Sequence, residues 1–328
     1  MARRTHGYIF AAALLWGAAL LFPRGAAQAA SCCGGGSASA LIMPKIASAM
    51  LDVSLDYEKY NGYWSKGGKH IPDPPGSDLK QYRLNLGYAH RLADNWQISA
   101  TLPLVFNENK YSGASSSTRG IGDTTLNLWY ENFDQIKCVW KVKSWEDLVP
   151  AAYFGASLTV PTGTSPYDNV ASSFDITGRG FYRLDASMLL DKTIYPWNAS
   201  LLLSYGTHLE RPVNREYGSY VQPYHKKLGD RSLWTASFGY TAFLESMNTL
   251  TFTGAYSDLR ENEGTIDGRS DPTTGMEKRS VSGTAAWASM DRDWVLKFTW
   301  SHALGWDGMG SNFPATDVIT MGVSHVFR

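Results

Sequence analysis

The chain has 328 residues, 44% hydrophobic, 13% aromatic and only 18% charged, and its 30 Lys and Arg balance its 30 Asp and Glu. A net charge of zero offers no basic stripe, which excludes nucleic acid as an expected partner. After the first 30 residues no stretch reaches the roughly 18 consecutive apolar residues of a membrane helix, so a helical membrane protein is excluded as well.

Residues 1–30 carry Arg3 and Arg4, then the apolar run YIFAAALLWGAALLF, then the small-residue run AAQAA. That three-part layout is a secretory signal, with cleavage expected after Ala29 or Ala30. A lipid anchor on Cys32 is the weaker reading, because Ala29, Ala30 and Ser31 precede it in place of a Leu-led box. Residues 31–50 form a Gly-rich periplasmic N-terminal segment or partial plug, and 51–328 a single domain.

From Leu51 onward, apolar residues recur at every second position, the period of a strand with one greasy and one polar face. Leu51, Val53, Leu55 and Tyr57 alternate with Asp52, Ser54, Asp56 and Glu58; Tyr82, Leu84, Leu86 and Tyr88 with Arg83, Asn85, Gly87 and Ala89. The run from Trp96 to Phe106 repeats the pattern, as does TTLNLWYE at 124–131, where Trp129 falls on the polar side. AAYFGASLTV, FYRLDASMLL, WNASLLLSY, LWTASFGYTAFL, TLTFTGAY, SVSGTAAWAS, WVLKFTWSH and VITMGVSHVF follow, making twelve candidate strands. An even count suits a bacterial outer-membrane barrel.

The connections alternate between long and short. ADN, ESMN and MDRD are short, whereas 61–78, 107–120, 209–230 and 257–275 are long. Short periplasmic turns and long extracellular loops have that asymmetry. Trp96, Trp197 and Trp294 each follow a short turn, as expected of an interfacial aromatic girdle whose rings are apolar while their N–H groups need a wet partner. The expected fold is therefore an all-β, transmembrane, antiparallel up-and-down β-barrel of twelve strands, its apolar face on outer-membrane lipid. Closure is required because a strand edge in hydrocarbon leaves peptide groups unpaired.

One connection on the short-turn rim is long, 132–150, and holds Cys138, Lys137, Lys141 and Lys143. The other two cysteines, Cys32 and Cys33, lie on the same rim, so a bridge to Cys138 competes with a vicinal Cys32–Cys33 ring. None falls in a haem or zinc spacing, and no cofactor or metal is expected.

Gly120, Gly122 and Asp123 of RGIGDTTLNLWYE, followed by Pro161, Thr162 and Gly163 of ASLTVPTGTSPY, resemble a family of exported, transporter-like barrels associated with the meta-pathway of phenol degradation. The resemblance covers roughly residues 80 to 200 and implies an outer-membrane barrel that takes up small, often hydrophobic compounds. Read from the residues themselves, GIGD is a rim turn whose Asp satisfies nearby N–H groups.

Catalysis is not expected: the Ser–His pairs at 301–302 and 324–325 are adjacent and so point to opposite faces of a strand. Face parity directs Asp52, Asp56, Glu58, Arg83, Arg91, Asp123, Glu131, Arg183, Asp185 and Lys297 into the lumen. Their mixed signs favour cross-strand pairs, and a symmetric first hairpin sets Asp56 opposite Arg83. Two functions fit. In the first, the barrel admits a small solute passively or by facilitated diffusion, with the mature leader partly filling the bore. In the second, it sheathes or docks a periplasmic partner such as a multihaem cytochrome, with the lysine-bearing 132–150 connection as the contact.

Overall fold

A computed structural model describes residues 41–111, 114–134, 139–171 and 175–328. Twelve strands build the wall: β1 (Ala49–Trp64), β2 (Asp78–Ala93), β3 (Trp96–Tyr111), β4 (Thr124–Glu131), β5 (Ala151–Val160), β6 (Arg183–Ile194), β7 (Trp197–His208), β8 (Arg231–Phe243), β9 (Thr249–Glu261), β10 (Met276–Ala288), β11 (Trp294–Ala303) and β12 (Phe313–Phe327). Each pairs antiparallel with the next, and β12 returns to β1 from Ala49↔Phe327 to Trp64↔Phe313. The cylinder has no open edge, which is what an all-strand crossing of a bilayer requires. No helix among the described residues is long and apolar enough to cross a membrane.

The alternation read from the sequence sorts the two faces. Leu51, Val53, Leu55, Leu126, Leu128, Phe298 and Trp300 project outward and stay exposed to what would be lipid. The inner face is threaded by hydroxyl pairs on neighbouring strands: Ser187–Ser204 at 2.9 Å, Ser200–Ser237 at 2.7 Å, Thr241–Thr251 at 2.9 Å and Thr284–Thr299 at 2.9 Å. A one-residue slip would turn these hydroxyls onto lipid and the leucines inward, so the pattern fixes register strongly.

The two rims differ as expected. The periplasmic rim carries the tight turns, and Trp96, Trp197 and Trp294 stand just above it, each between 42% and 49% exposed. Trp197 stacks on Phe238 and meets Tyr240 edge-on across β7 and β8, and Trp294 abuts His325 across β11 and β12.

The outer loops hold more order than the sequence reading gave them. Arg211–Glu216, Ser219–Lys227, Gly264–Ile266 and Arg269–Asp271 form a separate four-stranded sheet. Its two hairpins turn at Tyr217-Gly218 (φ 43° and 76°) and Asp267-Gly268 (φ 48° and 76°), both residues of each pair being left-handed. Two consecutive positive φ values match the right-handed twist of the flanking strands, and Asp-Gly favours them. A further strand, Ala114–Ile121, prolongs the β3 hairpin outward before β4 begins.

Candidate functional site in the barrel interior

The interior is built by the inward half of every strand, and its charged residues divide into three levels. On the β1–β2 wall, register sets Asp56 opposite Arg83, as the hairpin's symmetry predicts. The guanidinium donates to Asp56 at 3.3 Å and to Glu58 at 2.7 Å, and Thr320 and Asn85 donate to the remaining Asp56 lone pairs at 2.7 and 2.9 Å. Asp52 accepts the Ser324 hydroxyl. These carboxylates are occupied by the wall itself.

At the outer rim, GIGD and PTG meet. β4 cannot run straight on from Ala114–Ile121 because Gly122 turns the chain, and a Cβ there would lie 2.8 Å from Pro103 and 3.1 Å from Val105. Asp123 then accepts the N–H of Gly163 at 3.1 Å and of Arg179 at 2.7 Å, while the Thr162 hydroxyl donates to Gly122 O at 2.6 Å. The Asp does satisfy N–H groups, but they come from the following loop, not from its own turn. Gly163 and Gly178 pack against each other and the carboxylate, where either Cβ would come within 3.0 Å of a neighbour.

That clasp starts and ends the connection between β5 and β6, whose residues 175–179 turn inward instead of standing over the membrane. Asp175 accepts from Ser116 and Thr118 at 2.5 and 2.6 Å, and Asn107, on the inner face of β3, donates to Ile176 O at 2.9 Å. Arg179 forms a two-pronged pair with the buried Glu261 of β9, at 2.6 and 2.7 Å. Arg183 likewise holds Asp185 through Nε, at 2.9 Å to both oxygens. Neither Arg179 nor Glu261 was legible as a site residue, since a loop reaching across four strands has no local pattern.

The periplasmic mouth is the third level. Glu131, fully buried, receives Arg91 at 3.0 and 3.2 Å, Gln97 at 2.6 Å and the Lys45 ammonium at 3.1 Å. Lys45 belongs to residues 41–48, which enter the mouth: Met43 and Ala47 are buried against Met50, Ala89 and Val326, and Met43 N–H donates to Gln97 at 2.7 Å. Arg91 also donates to the carbonyls of Pro44 and Ala47, at 2.9 and 2.8 Å. Beside them the inward residues Trp129, Ala151, Tyr153, Leu189 and Leu202, with Phe133, form an apolar cluster against which Ile42 packs. The interior is thus not wet throughout, a correction to the simple two-faced reading. Trp129 fits because β5 offers Gly155, where a Cβ would lie 2.6 Å from the indole.

Lys297 faces the interior from β11, paired in register with Ala286 and Gly322. In the 132–150 connection, Val139 is bridged to Ile194 and the Trp140 ring lies 4.4 Å from Tyr195, at the β6–β7 turn. Lys141 and Lys143 are exposed. Cys32, Cys33, Lys137 and Cys138, and with them every candidate disulfide, lie outside the described residues, as does the signal segment.

Residues 65–208 match the family model described as "Putative MetA-pathway of phenol degradation". The Gly120–Asp123 and Pro161–Gly163 motifs fall inside that stretch, and the resemblance they carry is borne out. No curated protein matches the chain. Among solved structures the barrel is similar to an outer membrane channel from Pseudomonas putida F1, with a TM-score of 0.64 at 15% identity over 87% of this chain and 97% of that chain. It is less similar to the β domain of the Bordetella autotransporter BrkA (TM-score 0.49, 11% identity, 86% and 100% covered). At such identities the likeness to the channel bears on the fold, that of an outer-membrane barrel.

Proposed function

We propose that this barrel lets a small solute cross the outer membrane by passive or facilitated diffusion, through a polar bore narrowed at both ends by the chain itself. One observation carries the reading: the obstruction at the periplasmic mouth is a separate segment, 41–48, held by the Lys45–Glu131 pair and by Arg91 instead of being part of the wall. A segment held by a few polar contacts and by the burial of Met43 and Ala47 can shift without opening the strand ladder, whereas a wall residue cannot. At the outer end, the 161–182 loop narrows the entrance and is anchored by Asp123 and Glu261. In this reading Asp52, Asp56, Glu58 and Arg83 stiffen the wall, since their charges are mutually satisfied.

The cluster of Trp129, Tyr153, Leu189 and Leu202 is covered by Ile42, so a solute meets it only when the 41–48 segment shifts, which suits a small and at least partly apolar body. The same cluster, together with Ile42, takes the interior space that a sheathed cytochrome would need. A periplasmic partner would meet instead the exposed rings of Trp140 and Trp145 beside Lys141 and Lys143.

Planar-bilayer recording of the purified full chain tests the reading. Discrete conductance that rises when residues 31–47 are deleted supports it. Absence of any current in both forms, with the barrel shown to be inserted and heat-modifiable, would count against it.

A further inference from the structure

The outer part of the interior gathers three guanidinium groups, and one of them has no hydrogen bond or ion pair among the described residues. Arg179 is spent on Glu261 and Arg183 on Asp185, each through two hydrogen bonds. Arg231, at the start of β8, is set opposite Glu261 and Gly206 in register and faces the same interior space. It is partly buried, yet its side chain makes no hydrogen bond or ion pair among the described residues. The charged groups around it are Arg183, Arg179, Asp185 and Glu261. Both carboxylates are already held by the other two arginines, so the group as a whole carries one uncompensated positive charge.

A second lone cation lies deeper on the same side. Lys297 projects inward from β11, three residues above the periplasmic rim, and likewise has no hydrogen bond or ion pair among the described residues. Between the two cations the wall of β8–β11 is lined with hydroxyls: Thr235 to Ser257 at 2.9 Å and Thr284 to Thr299 at 2.9 Å are examples. Opposite β11, six strands around a cylinder of twelve, stands β5 with Tyr153, part of the apolar cluster. One wall therefore offers cations and hydroxyls, and the facing wall, at the level of Tyr153, carries the apolar cluster that Ile42 covers.

We infer that the interior binds and conducts small organic anions, monocarboxylates with an apolar or aromatic body, with Arg231 as the outer and Lys297 as the inner cation that the carboxylate engages. The inference rests on the uptake reading for its directionality, but binding at Arg231 stands independently of whether the bore opens. A guanidinium presents a planar fork that matches a carboxylate, and one with no protein partner is available to do so. An anion gains by entering this region because it neutralises a charge the fold leaves over. A cation of the same shape meets Arg231, Arg183 and Arg179 at the entrance.

Calorimetric titration of the detergent-purified full chain with benzoate, benzylammonium and benzyl alcohol separates these cases without requiring conduction. Saturable binding of benzoate alone is expected. Arg231→Gln should weaken it by roughly tenfold, the usual cost of losing a hydrogen bond between charged groups, with Arg231→Lys recovering part. Equal binding of benzoate and benzyl alcohol, no binding of benzoate, or an Arg231→Gln variant that binds as before while remaining heat-modifiable would overturn the inference. Reversal potentials in a KCl gradient give the second arm. Anion preference that falls in the Arg231→Gln, Lys297→Gln double variant supports the track. Conduction with no ion preference refutes it and leaves the uptake reading intact, whereas benzoate binding without any conductance refutes uptake and leaves the Arg231 site intact.

Discussion

Lys45 Nζ lies 3.1 Å from Glu131 Oε2, and this ion pair ties the segment inside the periplasmic mouth to the last residue of β4. Glu131 is fully buried and serves Arg91 and Gln97 at the same time. A carboxylate so placed is costly unless every lone pair is used, and here four donors use them.

Replacing Glu131 by Gln should therefore do two things. It leaves Arg91 and Lys45 buried without a counter-charge, a loss of about 3 to 5 kcal/mol. It also frees residues 41–48, so conductance should rise towards that of a chain lacking the segment. Urea unfolding in detergent and single-channel recording check the two halves, and a variant with full stability and unchanged conductance would contradict the role given to the pair.

Gly155 and Trp129 make a second coupled pair. A Cβ at position 155 would lie 2.6 Å from the indole, which cannot back away because Tyr153, Leu189 and Leu202 surround it. Gly155→Ala should destabilise the barrel by about 1 to 3 kcal/mol through overpacking. In a Trp129→Ala background the same substitution should cost within about 0.5 kcal/mol of nothing, a non-additivity that a double-mutant cycle reads directly.

Asp123→Ala removes the acceptor shared by the N–H groups of Gly163 and Arg179. Each stranded N–H costs about 1 to 3 kcal/mol if it finds no water. The 161–182 loop should become cleavable by added protease in intact vesicles while β1–β3 stay protected. Cleavage at the same rate as in the parent chain would show that the clasp does not hold the loop.

The outer four-stranded sheet should respond to acid. Burial alone would raise the Asp271 carboxyl, but the Thr273 hydroxyl and N–H and the Lys226 ammonium outweigh it and leave it below the usual carboxylate range. A folded-state value below the unfolded one contributes stability above the ordinary Asp pKa of about 3.9 and loses it as pH falls through the depressed value. Hydrogen exchange of 264–271 should thus be constant from pH 7 down to about 5 after correction for intrinsic rates, and accelerate only below about 4. Asp271→Asn should remove that acid-dependent step.

The amino-acid sequence alone determined the wall. Period-2 alternation from Leu51 to Phe327, the even number of strands, the short and long connections and the girdle of Trp96, Trp197 and Trp294 are all local, repeated signals, and the bilayer leaves a single arrangement that satisfies them. Tertiary structure decided what fills the cylinder. Trp129 and Gln97 could be placed inside by parity, but that Trp129 lies over Gly155 and that Gln97 meets Met43 depends on strands and a leader that approach only once the barrel closes. Arg179 reaching Glu261, Asp123 holding the next loop, and Arg231 without a partner among the described residues have no periodic trace at all. A lumen side chain's partner is set by the cylinder's curvature and by loops folding inward, and those contacts join residues that nothing in the local pattern relates.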